Sequence, residues 1–221
     1  MNGSYKKGIC HVVGAADFAS ERFSVGEEDF VIAADAGLRW LEKIGRKPDM
    51  ILGDFDSLGY LPEGDEVLLH PVHKDDTDSM LAMREAIDRG YRDFVFHGCT
   101  GGARFDHTVA NLQTLAWAAE HGVRAAMYAQ GYTIEAIHNS ALVFDSRYEG
   151  DISVFAHGGR VKGVWLSGLT YPLYNAELSP SLPLGVSNSF ISKEATVRVN
   201  DGTLIVIWKD GGNLPRPKLI D

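Results

Sequence analysis

Cysteine is scarce in this chain. Only Cys10 and Cys99 occur among 221 residues, so neither a disulfide framework nor a CxxC zinc pattern can be built. Both lie in stretches that read as apolar strands, where thiols serve as core fillers. Positive charge is also short. Lys and Arg total 21 against 30 Asp and Glu, a net charge of -9 with no basic stripe, which disfavours a nucleic-acid binder. No apolar run approaches membrane-spanning length. The run after Lys6 and Lys7 is cut by His11 and Gly14 and is too short for a secretion signal, so the expected location is cytoplasmic. Internal repeats and low-complexity tracts are missing. The glycine-rich stretch at 98–104 is neither GxGxxG nor a Walker A, since no Gly-Lys-Ser/Thr follows.

What is present is an ordinary globular composition, 45% hydrophobic and 23% charged, long enough for one large domain or two small ones. The first part alternates two periodicities. Strands are expected at 8–13, 30–34, 50–52, 66–70, 93–96 and 123–128. Helices are expected at 36–44 (Leu38, Leu41 and Ile44 on one face), from Asp76 or Thr77 to Gly90, and from Asp106 or Thr108 to Gly122. In the last of these, Val109, Leu112, Leu115 and Ala119 are expected to face inward. This alternation predicts a mostly parallel α/β/α sandwich, Rossmann-like, over residues 1–135. Beyond it the helical period disappears and short runs remain at 133–137, 152–156, 163–166, 195–199 and 203–208. These predict a small antiparallel β-sandwich over 136–221, with Asn200-Asp201-Gly202 as a hairpin turn. The tail from Gly211, with Pro215 and Pro217, is expected to be loose.

In a parallel sheet, ligands bind beyond the carboxyl ends of the strands, and the unusual residues collect there. Leu52-Gly53-Asp54-Phe55-Asp56-Ser57 follows a short apolar run. Asp54 and Asp56 are two hard oxygen donors close enough to share one Mg²⁺, although Gly, Asp and Ser are also ordinary turn residues. Lys74-Asp75-Asp76-Thr77-Asp78 opens a helix. Capping and the helix dipole account for one acid, whereas three acids in four positions repel unless a cation intervenes. Gly98-Cys99-Thr100-Gly101-Gly102-Ala103-Arg104-Phe105-Asp106-His107 lets backbone approach phosphate and supplies an arginine able to grip it bidentately. His107 is a general acid or base or simply a helix-start residue. Asp35 contacts a nucleotide or caps a helix.

Ala34-Asp35-Ala36-Gly37, Gly53-Asp54-Phe55-Asp56-Ser57, Lys74-Asp75-Asp76-Thr77-Asp78, Gly101 to His107, Gly168-Leu169-Thr170-Tyr171-Pro172-Leu173 and Gly185-Val186-Ser187-Asn188 occur in that order. The ordered set resembles the thiamine pyrophosphokinase family over nearly the whole chain. The resemblance implies an ATP-binding α/β domain, a thiamine-binding β-sandwich and a homodimer with the thiamine site near the subunit interface. It implies transfer of the pyrophosphoryl group of ATP to the thiamine hydroxyl, with Mg²⁺ required, giving thiamine diphosphate and AMP. By the same resemblance Asp54, Asp56 and Asp78 hold metal and, with Arg104 and Asp106, are catalytic. Asp35, Gly37, Lys74, Asp75, Thr100, Gly101, Arg104 and His107 meet ATP, and Asp106, Tyr171, Ser187 and Asn188 meet thiamine. Two departures stand out: Ala103 is an extra residue in the glycine loop, and Val186 replaces a common hydroxyl residue. Two rival readings are another Mg²⁺-dependent phosphoryl or nucleotidyl transferase on this scaffold and a non-catalytic thiamine or nucleotide sensor.

Overall fold

The computed structural model describes residues 5–55, 58–62, 66–69, 76–212 and 214–221. The chain divides into two compact units, Met1–Thr114 with Gly122–Gln130, and Leu115–His121 with Gly131–Asp221.

In the first unit the apolar runs form β1 (Cys10–Val13), β2 (Phe30–Ala34), β3 (Met50–Gly53), β4 (Val67–Leu69), β5 (Asp93–His97) and β6 (Arg124–Ala129). All neighbours pair in parallel, in the order β6-β5-β1-β2-β3-β4. β1, β2 and β3 are buried almost end to end, as strands covered on both faces must be. Val13, Val31, Ala33 and Ile51 point to one face, where Leu38 and Leu41 of helix α1 (Leu38–Lys43) join their cluster. Helix α2 (Asp78–Asp88) packs along β1, β2 and β3 and buries Met80, Ala82, Met83 and Ala86. Thr77 caps it, its Oγ1 accepting the Met80 N–H at 3.3 Å. The chain lays β2, β3 and β4 on one side of β1, then returns to lay β5 and β6 on the other. The topological switch point therefore falls between β1 and β5.

Helix α3 (Phe105–Glu120) begins in the first unit and ends in the second. Its buried face differs from expectation. Leu115 is buried as expected, but Val109 is 43% exposed, and Asn111, Thr114 and Ala118 are buried. Asn111 Nδ2 donates to the Cys99 carbonyl at 2.8 Å and Thr114 Oγ1 to the Ala110 carbonyl at 3.1 Å, so these polar groups are buried with partners. A count of apolar positions misses a helix face that is partly polar. Ile44 likewise lies just past α1 and is exposed.

The second unit contains β7 (Tyr132–His138), β8 (Ala141–Phe144), β9 (Asp151–Ser167), β10 (Leu173–Leu178), β11 (Asn188–Ser189), β12 (Ala195–Arg198), β13 (Asp201–Lys209) and β14 (Lys218–Ile220). The runs expected as separate strands at 152–156 and 163–166 are one 17-residue strand, β9. Its first half pairs with β13 and β11 and its second half with β10 and β12, and the β13 register shifts between His157 and Lys162, a stretch that includes Gly158 at φ +72°. One sheet runs β7-β13-β9-β11 and the other β10-β9-β12-β8-β14, all antiparallel. Phe144, Tyr148, Phe190 and Trp208 fill the core, with Phe144 5.2 Å, centroid to centroid, from each of the other three rings.

Two expectations for this unit fail. Asn200-Asp201-Gly202 does not close a hairpin, because β12 pairs with β8 and β9 whereas β13 pairs with β7 and the other half of β9. The turn carries the chain from one sheet to the other. The tail is not loose either. Its last residues form β14 against β8, the Tyr148 hydroxyl donates to the Pro215 carbonyl at 2.6 Å, and Arg216 lies 3.6 Å from the buried Glu135 carboxylate. Prolines exclude a central strand but leave room for an edge strand after them.

Candidate active site

Beyond the carboxyl ends of β1 and β5 the two strands continue as paired loops. The Gly14 N–H donates to His97 O at 2.8 Å, Ala16 N–H to Gly98 O at 2.8 Å and Asp17 N–H to Thr100 O at 3.3 Å. Small residues are required here by close approach. A Cβ at Gly14 would lie 2.7 Å from Gly98 O, and one at Gly37 only 1.9 Å from Val13 O. Gly37 thus serves to seat the start of α1 on β1.

A cavity of about 380 Å³ opens at this switch point. Of the residues expected to act, Asp35, Asp78, Gly101, Arg104 and His107 line it together. Residues not expected at the site also line it: Thr77 and Ser79 beside Asp78, and Thr108 and Asn111 on α3. Thr100 is buried behind the wall, and Gly37, Asp54 and Asp106 are not part of the lining. Asp54 stands directly after Gly53 at the end of β3, and a Cβ on Gly53 would lie 3.0 Å from the Asp35 Cα. The loops carrying Asp35 and Asp54 are therefore in backbone contact. Asp56, Lys74 and Asp75 lie outside the described residues.

Backbone strain gathers at the same strand ends. Asp35 has φ +47° and Phe55 φ +60°. Aspartate tolerates this region, but for a bulky residue such as phenylalanine it is costly. Phe55 is buried with Leu58 in the cluster under α1, and that burial holds the turn in which Asp54 sits. The run is strand only to Gly53; Asp54 and Phe55 are already loop.

The glycine loop is less open to anions than its composition suggests. The Gly101 N–H donates to Thr108 Oγ1 at 3.2 Å and the Gly102 N–H to Asp17 Oδ2 at 3.2 Å. Both amides already have protein acceptors. The cation of the loop, Arg104, folds back on Asp106, with Nε–Oδ1 at 3.0 Å and Nη2–Oδ2 at 2.8 Å. That hydrogen-bonded guanidinium holds the Asp106 carboxyl at a pKa of about 2. Both side chains are exposed, so the pair exchanges readily for another partner.

Carboxylates dominate the donors around the cavity. Asp35 and Asp78 line it and Asp54 stands beside it, a hard-oxygen set that suits Mg²⁺, an ion that needs one or two carboxylates with waters and phosphate oxygens. Cys99 lies beyond β5, not within a strand, and also lines the cavity. Burial lifts its thiol pKa to about 11, so it adds no soft ligand at neutral pH. Among the described residues, no three His, Cys, Asp or Glu side chains converge as a closed metal-holding group.

Beneath the β1–β5 junction lies a buried chain of polar side chains. His97 Nε2 is 3.1 Å from His11 Nδ1, and His11 Nε2 is 3.3 Å from Asp29 Oδ2. Phe18, Phe23 and Tyr128 pack around the His97 ring, and Arg22 sits over Tyr128 and donates to Ala129 O at 3.0 Å. Burial first, then the charges of His11 and Arg22, push the His97 pKa well below its usual value. Burial raises the pKa of Asp29, but hydrogen bonds from the Gly26 and Ile9 amides and from His11 outweigh it and lower it.

In the second unit, Asn188 is buried and both ends of its amide are hydrogen-bonded. Its Oδ1 accepts the Tyr171 N–H at 2.9 Å and its Nδ2 donates to Tyr171 O at 2.6 Å. Tyr171 is held by its backbone while its ring stays exposed. Ser187, at φ +60°, is exposed and its N–H donates to Ser153 Oγ at 3.1 Å. Two larger cavities, of about 470 Å³ around Arg46 and Tyr60 and about 620 Å³ around Arg147 and Lys209, hold none of the expected site residues. Chemistry rather than size picks out the switch-point cavity.

Comparison with known proteins agrees with this layout. Residues 24–127 match the family described as thiamin pyrophosphokinase, catalytic domain, and residues 140–204 match thiamin pyrophosphokinase, vitamin B1 binding domain. A thiamine pyrophosphokinase of Bacillus subtilis (strain 168) is 27% identical over 197 residues, spanning 82% of this chain and 87% of that protein. A solved Bacillus subtilis thiamine pyrophosphokinase shares the fold at TM-score 0.78, with 24% identity over 93% of this chain and all of the other. The solved Geobacillus thermodenitrificans thiamin pyrophosphokinase gives TM-score 0.76 and 27% identity over 93% and 99% of the two chains. With both domains of one family matched in order along its length, the chain belongs to the thiamin pyrophosphokinase family.

Proposed function

We propose that this protein transfers the pyrophosphoryl group of ATP to the hydroxyl of thiamine, giving thiamine diphosphate and AMP, in a reaction that needs Mg²⁺. The observation that carries the reading is the meeting of Asp35, Asp78 and Arg104 around one cavity at the switch point of a parallel sheet, in a chain matching both domains of the family. Asp54, Asp56 and Asp78 would hold Mg²⁺, which, when bound, neutralises charge on the phosphate oxygens.

Transfer of this kind asks the protein for alignment and charge more than for covalent chemistry. Arg104 leaves Asp106 to grip phosphate oxygens bidentately, because a multiply charged phosphate is the stronger partner. Lys74, Asp75 and His107 would meet ATP, as the family resemblance implies. Asp35 and the Thr100-Gly101 backbone border the nucleotide, with Gly37 setting the α1 start. Either Asp56 or Asp78 accepts the proton of the thiamine hydroxyl. Once released, Asp106 adds to the excess of carboxylate that favours a cationic substrate such as thiamine. In the second unit the Tyr171 ring and Ser187 meet thiamine, and Asn188 serves by clamping Tyr171. The working form is a homodimer.

Incubating the protein with ATP, thiamine and Mg²⁺ and separating the products by chromatography tests the reading. AMP and thiamine diphosphate in equal amounts are expected, and both vanish with a chelator. ADP with thiamine monophosphate would replace this reading with simple phosphoryl transfer. Binding of both ligands without any AMP would make the protein a sensor.

A further inference from the structure

Asp17 is a residue that no motif marks and that the proposed reaction does not use. It lies in the loop after β1 and is exposed, 85 positions from the amide it holds. The backbone bonds joining the two loops run Gly14 to His97, Ala16 to Gly98 and Asp17 to Thr100, and there the backbone ladder stops. The next contact is made by a side chain. Asp17 Oδ2 accepts the Gly102 N–H at 3.2 Å, one step further toward Arg104. The glycine at 101 is what lets it reach. A Cβ there would lie 2.3 Å from Asp17 Oδ2, and Gly101 and Gly102 hold φ of +75° and +71°, values that favour glycine. On the other side, Thr108 Oγ1 takes the Gly101 amide. The loop is thus tethered from both flanks immediately before Ala103-Arg104.

We infer that Asp17 is a positioning residue for Arg104. Its carboxylate extends the β1–β5 loop ladder by one bond and sets where the glycine loop releases its arginine toward the cavity. This also gives the extra residue Ala103 a physical setting, since a longer loop gains from a tether just before the insertion. The inference rests on Arg104 binding phosphate, as proposed above. What the tether requires of residue 17 is an oxygen acceptor of the right length and no negative charge as such, and that separates this role from metal binding.

The test uses the full-length protein with Asp17→Ala and Asp17→Asn. In Asp17→Ala, amide exchange in a peptide spanning 100–105 should quicken about fivefold, the worth of one ordinary hydrogen bond, while exchange in the second unit is unchanged. kcat/KM for ATP should fall by about the same factor, with KM for thiamine unaltered. Asp17→Asn, whose amide oxygen still accepts, should restore both readouts to within about twofold. Unchanged exchange in Asp17→Ala would overturn the inference. So would an asparagine variant as impaired as the alanine one, since the charge itself would then be what matters. The exchange arm reads the tether even if the wild-type protein makes no thiamine diphosphate, so failure of the tether and failure of the proposed activity are told apart.

Discussion

The two units hold their candidate residues by different means. In the first, the loops that carry them leave neighbouring parallel strands at the same end, and backbone bonds continue the ladder past the strands, from Gly14 to His97 and from Ala16 to Gly98. In the second, the largest share falls to one buried side chain. Asn188 satisfies both the N–H and the carbonyl of Tyr171, next to one backbone bond from the Thr170 N–H to Ser189 O at 3.0 Å. A backbone bond does not depend on which side chain its residue carries, whereas a side-chain clamp is weakened by one substitution.

Asp78→Asn in the first unit should give the largest effect on turnover, lowering kcat by about a hundredfold or more as charge neutralisation at the phosphates is lost. Thermal unfolding should show a loss of at most about 1 kcal/mol, the worth of a carboxylate in the first turn of a helix. Near-normal turnover would remove Asp78 from the metal site, and a large loss of stability would break the contrast between the units.

Asn188→Ala should behave in the opposite way. It deletes two hydrogen bonds to one backbone residue in a buried setting, so a stability loss of about 1–3 kcal/mol is expected, with a raised KM for thiamine and little change in KM for ATP. Denaturant unfolding and steady-state kinetics read both. A variant as stable as the wild type would mean that the Tyr171 loop is held by something other than this amide.

The buried histidine chain gives the first unit a pH dependence. The folded-state pKa of His97 lies below the unfolded value of about 6.5, so the unfolded chain binds the extra proton first. Its contribution to stability is full above about pH 6.5 and is lost as the pH falls from there toward the depressed folded-state value. Measured against pH, the acid side of the stability curve should flatten in His97→Gln. An unaltered acid limb would place the acid sensitivity elsewhere.

The smallest effect on stability is expected at the exposed pair. In Arg104→Ala the Asp106 carboxyl should rise from about 2 toward the ordinary aspartate value of about 3.9, as followed by NMR titration, with no measurable change in stability. An Asp106 titration that stays low would show that neighbours other than Arg104 hold it.

Much of the first unit was legible because its signals are local. Thr77 as cap, Gly90 as stop and the buried runs at β1, β2 and β3 follow from residues within a few positions of one another. Its misses were polar residues that act through distant partners. Asn111 and Thr114 turn the buried face of α3, and Asp17 and Ser79 reach the site region through partners about 20 to 85 positions away. The second unit was read less well because antiparallel pairing is decided over long range. Nothing local in 151–167 reveals that one strand serves two sheets, or that 200–202 crosses between them rather than turning back.

By itself, then, the amino-acid order determined the alternation of strands and helices, the carboxylates and glycines at their ends, and the family they belong to, since short-range periodicity and ordered motifs are properties of the chain alone. Only the tertiary structure decided that β1 and β5 stand side by side, so that the Gly14 and Gly98 loops zip together, and that Arg104 rests on Asp106 while Asn188 is spent on Tyr171. Those outcomes depend on which distant groups compete for the same donors and acceptors, and that competition is settled only once the chain is packed.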